Sequence, residues 1–174
     1  MSESTVSSRP GDLRVRRLDA ADAKDIARWD AFVAAQPEAT FFHRAAWQDI
    51  LREVFGHRTH FLFAERQGTI EGILPLAQVK SRLFGHALVS LPFCVYGGVV
   101  ATSAEAAAAL EAEAEALAGA LDVDHLEYRN LTPRHADWPR QDLYVTFRKE
   151  ILPDEEANLQ AIPRKQRAMV RKGI

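Results

Sequence analysis

The chain has 174 residues, with 22 Lys or Arg against 24 Asp or Glu and a formal net charge of -2. That length suits one domain with a proper core and not comfortably two, and the balanced charge leaves no global field for DNA or a membrane surface. Any electropositive site must be local. A single cysteine, Cys94, excludes an intrachain disulfide and a thiolate zinc cluster. It reads as a buried structural thiol in reducing cytoplasm.

The first residues, Met1 to Gly11, are polar and Ser-rich without an apolar h-region, so residues 1–12 are expected to be disordered. No segment reaches the roughly 18 apolar residues of a transmembrane helix, which points to a soluble, unexported protein. Leu13 to Leu18 alternates apolar residues with arginines and suits a half-exposed strand. From Ala23 to Gln36, Ile26, Trp29, Phe32 and Val33 recur at helical spacing, and Pro37 stops the helix. A second helix is expected over His43 to Phe55, striped by Ala46, Trp47, Ile50, Leu51 and Val54, with Gly56 at its C-terminal cap. Phe41, Phe42 and Trp47 read as core aromatics rather than pocket walls.

Thr59 to Ala64 and Thr69 to Val79 are β-rich runs joined by Glu65-Arg-Gln-Gly68, which predicts a hairpin. Gly72 and Pro75 point to a bulge or bend in its second strand. The His57-x-x-His60 pair has no third ligand nearby, so both are read as structural histidines. Ser81 to Gly85 is a turn.

The run Leu88-Val-Ser-Leu-Pro-Phe-Cys-Val-Tyr-Gly-Gly-Val-Val-Ala101 organises the rest of the reading. Its first part, to about Leu91, is expected to be a strand buried on both faces at the centre of a sheet. Pro92 breaks the ladder, and Gly97-Gly98 allow positive φ and close backbone approach. The segment after Leu91 is either an ordinary turn or a shaped loop at a strand end, where α/β folds place binding sites.

Thr102-x-x-Glu105 predicts a capping box, opening a helix to about Leu121 whose glutamates form a solvated face. Val123 to Leu131 and Leu143 to Leu152 read as two further strands, joined by a loop around Pro133 and Pro139. The order β, α, α, β, β, β, α, β, β is an α/β pattern with a mixed sheet. Asp154 then caps a short acidic helix, and Pro163 starts a basic one with Arg164, Arg167 and Arg171 on one face. Guanidinium groups near a helix N-terminus suit a phosphate, and a merely solvated basic helix fits the same residues. The helix reaches Ile174 with its apolar face unfinished, so a fragment of a longer protein is expected.

The combination of Glu38-Ala-Thr-Phe-Phe42, Trp47, Gly72-Ile-Leu-Pro-Leu76, Ser90-Leu-Pro-Phe93, Tyr96-Gly-Gly98 and Arg164-Lys-Gln-Arg-Ala-Met-Val-Arg-Lys172 resembles the FemAB family. It is most similar to the FemAB-like proteins found beside PEP-CTERM/exosortase and exopolysaccharide systems. The resemblance implies an α/β, GNAT-like (acyl-CoA N-acyltransferase-type) domain with a mixed central β-sheet flanked by helices. That domain would occupy residues 13–152, with 153–174 a linker and the start of a truncated second one. It further implies transfer of an aminoacyl or acyl group to an amine of a peptidoglycan or exopolysaccharide precursor. The partners would be a nucleotide-linked cell-envelope precursor and aminoacyl-tRNA or another acyl donor, with no cofactor and no metal. Tyr96, Gly97 and Gly98 would shape a substrate cleft, and Arg164, Lys165 and Arg167 match the basic helix near which the family binds pyrophosphate.

The chain departs from the peptidoglycan-ligase branch where Tyr96-Gly-Gly-Val-Val-Ala101 ends in alanine rather than leading to an aspartate, and the family's catalytic residues would lie beyond Ile174. No residue is therefore assigned to catalysis. Two alternatives stand beside this expectation. A CoA-dependent GNAT N-acetyltransferase would show a Gln/Arg-x-x-Gly-x-Gly/Ala loop, which Tyr96 to Ser103 lacks. A non-catalytic scaffold of an exopolysaccharide or exosortase system is the other.

Overall fold

The structure, a computed structural model, describes residues 12–81, 83, 85–141 and 145–173. Most of the expected N-terminal tail, Leu143 and part of the Ser81–Gly85 turn lie outside those residues. The chain divides into two compact units between Arg134 and His135.

In the first unit a run that is apolar on successive residues becomes strand β2, Arg58–Arg66, and pairs antiparallel with β3, Thr69–Ser81. Phe61 and Phe63 point into one core and Leu62 and Ala64 into another, so the strand is buried on both faces. β1, Arg14–Arg17, pairs with the outer side of β2. On the other edge of β3 lie β4, Gly85–Ser90, and the short β5, Val100–Ala101, followed beyond β4 by β6, His125–Glu127. The six-stranded sheet runs β1, β2, β3, β4, β6, with β5 paired to β3. Every pairing is antiparallel except β4 with β6, which makes the sheet mixed.

This order corrects one expectation. The strand of the Leu88–Leu91 run is buried as predicted, but β3 rather than β4 is central to the sheet. The predicted irregularity at Gly72 is a bulge, because Ala64 pairs with Gly72 while Glu65 pairs with Ile70. Gly72 also lets the Leu110 side chain approach, since a Cβ there would stand 2.9 Å from Leu110 Cδ1.

Helices cover both faces. α1, Ala23–Ala35, starts where Asp22 Oδ1 accepts the Lys24 and Asp25 N–H groups, and it buries Trp29, Phe32 and Val33. Trp29 stacks on Phe61 with ring centroids 5.4 Å apart. The second predicted helix is shorter than expected, with a 3₁₀ turn over Phe41–His43 and α2 over Trp47–Glu53. Gly56 follows it in the left-handed region at φ 70°. Phe42 and Trp47 pack against this core, whereas Phe41 is exposed.

α3, Ala104–Leu121, covers the opposite face with Ala106, Leu110 and Ala114. Its N-cap is Ser103, whose Oγ accepts the Ala106 N–H at 3.1 Å. The expected cap, Thr102, instead donates its hydroxyl to the Glu71 carbonyl and ties β5 to β3. The strand expected over Val123 to Leu131 is limited to β6.

In the second unit residues 145–152 form neither helix nor strand, contrary to expectation. Asp154 caps α4, Glu155–Gln160, as its sequence predicts, and α5 spans Arg164–Gly173. Among the described residues no helix is long and apolar enough to cross a membrane.

Candidate functional site

The parallel pair β4 and β6 matches Ala87 with His125, Leu88 with Leu126 and Val89 with Glu127, and there the backbone ladder ends. Ser90, fully buried, supplies a side-chain substitute: its Oγ accepts the Arg129 N–H at 2.7 Å. Past that bond the two chains part. The β4 continuation turns away through Leu91 and Phe93, at φ 50° and 70°. Left-handed backbone costs about 1 to 2 kcal/mol at a residue with a side chain, so the surrounding contacts must hold this turn in place.

Gly97 and Gly98 bring the chain back. Both backbone N–H groups donate to the Arg129 carbonyl at 3.1 Å. Neither glycine lies in the left-handed region, so of the two freedoms that glycine allows here, positive φ and close backbone approach, the chain uses the second. Their role is space. A Cβ on Gly97 would sit 2.5 Å from Leu91 Cβ, and one on Gly98 would sit 2.0 Å from Asn130 Oδ1.

His43 clamps the same loop from the other side. Its backbone carbonyl accepts the Trp29 indole N–H at 2.7 Å. The Thr40 N–H donates to Nδ1 at 3.1 Å, so Nδ1 carries no proton. Nε2 therefore carries it and donates to the Gly98 carbonyl at 3.1 Å. Burial lowers the His43 pKa, against the opposing bonds to Gly98 and Thr40. The ring is a neutral anchor with both nitrogens engaged.

Between the segment that returns to the sheet through Tyr96–Val100 and the chain past β6 lies a cleft of about 80 Å³, bounded by Glu38, His43, Tyr96, Gly98, Arg129 and Asn130, with Thr132 and Arg134 also lining it. Such a volume admits a head group rather than a whole nucleotide. Arg129 donates through Nε to Glu127 and through Nη1 to the Cys94 carbonyl, both at 2.8 Å. Arg134 donates to Glu111 of α3 at 2.8 Å. Burial, opposed by Arg129, pushes the Cys94 thiol up to about 11, which leaves it an inert core group as its sequence setting suggests.

Of the residues expected to bind substrate, Tyr96 and Gly98 line the cleft, and Gly97 packs behind it against Leu91. Arg164, Lys165 and Arg167 belong to the other unit. Arg164 and Lys165 are exposed at the start of α5. Arg167 donates to the Gln160 and Ile162 carbonyls, closing the end of α4. The positions that sequence reasoning left unassigned are Ser90, His43, Arg129 and Asn130. A lone hydroxyl ending an apolar strand was the available signal for the first. Arg129-Asn130 fell inside an expected strand and gave none.

No protein-family model matches the sequence, and no curated protein matches it. Among solved structures the fold is similar to a GNAT family acetyltransferase from Staphylococcus aureus subsp. aureus USA300_TCH1516, at 10% identity and a TM-score of 0.47. The match covers 80% of this chain and 98% of that one.

Proposed function

We propose that this chain is the first GNAT-like half of a FemAB-type transferase, which passes an aminoacyl or acyl group to an amine of a peptidoglycan or exopolysaccharide precursor. The observation that carries this reading is the cleft past the carboxyl end of β6, walled by residues 129–134 and by the Tyr96–Val100 segment that leads into β5. That is where open α/β sheets bind their ligands, because the diverging chains leave a crevice with backbone polar groups at its rim.

In this reading Tyr96, Gly97 and Gly98 shape the cleft, while Arg164 and Lys165 address the phosphate of a nucleotide-linked precursor. Arg167 steadies the α4–α5 junction on which they stand. Clamping matters for transfer, since an amine must be held close to an activated carbonyl with little residual freedom. A CoA-dependent acetyltransferase is the second reading, and one observation weighs against it in this loop. The Gly97 and Gly98 N–H groups, which a pyrophosphate would need, are both turned onto the Arg129 carbonyl.

Calorimetric titration with a UDP-linked muropeptide, and separately with acetyl-CoA, tests the choice. Binding of the muropeptide, weakened by Arg164→Ala to the extent of about 1.5 to 3 kcal/mol for a charge-assisted bond, supports the FemAB-type reading. Binding of acetyl-CoA alone moves the protein to the CoA-dependent class. Binding of neither favours the scaffold role.

A further inference from the structure

We propose that Arg17, Arg58 and Lys80 form an anion site over the buried His60, at the end of the sheet where β2 begins, and that it takes a phosphate-bearing ligand. The three cations belong to adjacent strands, Arg17 as the last residue of β1, Arg58 as the first of β2 and Lys80 as the last but one of β3. Because β2 pairs antiparallel with both neighbours, those positions share one end of the sheet. They also share one face. Arg17 is in phase with Val15, Arg58 with Leu62, and Lys80 with Leu74 and Leu76, all of which pack in the core beneath α3. All three are exposed, and none has a hydrogen-bond or ion-pair partner among the described residues. Arg16, on the opposite face, is by contrast paired with both Asp25 and Glu65.

His60 lies on the same face, in phase with Arg58. It is only 7% exposed, yet neither ring nitrogen has a hydrogen-bond partner. The neighbouring Gln78 amide nitrogen is engaged by His86 Nε2 at 2.6 Å, and Asp124 spends its carboxylate on the His86 N–H at 2.7 Å. Burial, then the charges of Arg17 and Arg58, lower the His60 pKa against the Gln78 side chain. The ring is therefore neutral and keeps an N–H to donate, and both guanidinium groups stand close enough to act on it. Three cations that repel one another beside an unmet N–H donor are suited to an oxyanion. Two guanidinium forks and an ammonium supply charge-assisted bonds, and the long exposed arginine side chains can fold onto the ligand and open a way to the ring. None of these residues lines the cleft, so the site stands apart from the proposed transfer.

The test is NMR of the 174-residue chain titrated at fixed ionic strength with inorganic pyrophosphate and, as a control, acetate. Pyrophosphate is expected to move the Arg17, Arg58 and Lys80 amides and the His60 ring signal saturably and to leave Gly97 and Gly98 in place, while acetate moves none of them. Arg58→Gln should weaken pyrophosphate by about tenfold or more. His60→Leu leaves the surface charge unchanged, so a further loss of several-fold there separates a built site from a diffuse basic surface. Unchanged amides outside β1, β2 and β3 show that both variants fold. Sedimentation with phosphatidylglycerol vesicles, against phosphatidylcholine ones, distinguishes a lipid headgroup from a free phosphate, and Arg58→Gln-sensitive binding of either probe supports the site. Silence toward both probes, or a response that survives Arg58→Gln and His60→Leu, would overturn it.

Discussion

Ser90 and Arg129 are joined side chain to backbone at 2.7 Å, one residue past the last pairing on β4 and two past it on β6. The hydroxyl does what a strand carbonyl would have done, and it allows the two chains to separate without leaving the Arg129 N–H unsatisfied. Ser90→Ala should therefore cost about 1 to 3 kcal/mol, the range for a donor stripped of its partner in a buried setting. Urea unfolding measures the loss. Hydrogen exchange at the Arg129 amide should accelerate beyond the global change, and an unaltered amide would show that the bond does not hold the junction.

At Gly98 the constraint is steric. A methyl group there would meet Asn130 Oδ1 at 2.0 Å and Asn130 Cα at 3.0 Å. The first contact is a side chain that can be removed, whereas the second is backbone. Gly98→Ala is expected to destabilise the chain by about 1 to 3 kcal/mol. Asn130→Ala should recover part of that loss in the double variant, giving a coupling energy that a thermodynamic cycle resolves. Strict additivity of the two changes would remove Asn130 as the obstacle.

Acid should loosen the clamp. The pKa of His43 is lowered in the folded chain, by burial first, so below its ordinary value of about 6.5 the unfolded chain binds a proton that the folded chain refuses. The stability tied to the neutral ring is then full above about pH 6.5 and declines as the pH falls from there toward the lowered folded value. His60 acts in the same direction, held down by burial and by the charges of Arg17 and Arg58 against the opposing Gln78 side chain. Urea midpoints between about pH 8 and pH 5 should fall in the parent chain and fall less in His43→Asn or His60→Asn. Parallel slopes in all three proteins would refute the assignment.

Much of the framework was legible because its signals are local. The aromatic and β-branched runs on either side of Gln67-Gly68 predicted the β2–β3 hairpin, and the spacing of Trp29, Phe32 and Val33 predicted α1. The site was legible only as a place. Pro92 and Gly97-Gly98 marked a special loop after β4, but its geometry depends on partners far along the chain. Gly98 is held by His43, 55 residues before it. Ser90 finds its partner in Arg129, 39 residues later. The same limit explains the Thr102 cap, where helix capping was predicted locally and a bond to Glu71 across the sheet won. Strand centrality likewise depends on which edges are paired, and an apolar run cannot report that.

One edge of β3 serves two separate segments. Near its start Gly72 and Ile73 face β5, and from Leu76 to Ser81 it faces β4, with Leu74 and Pro75 left between them. Pro75, which has no N–H to offer, falls in that interval. The chain thus leaves β3 at Leu91 and docks back on the same strand at Val100, so the excursion is anchored at both ends by pairings whose registers are set independently. Residues can be added to or taken from its middle without shifting either ladder. The loop is in effect a replaceable cartridge in a fixed frame, and its length and sequence can vary while the whole sheet is kept.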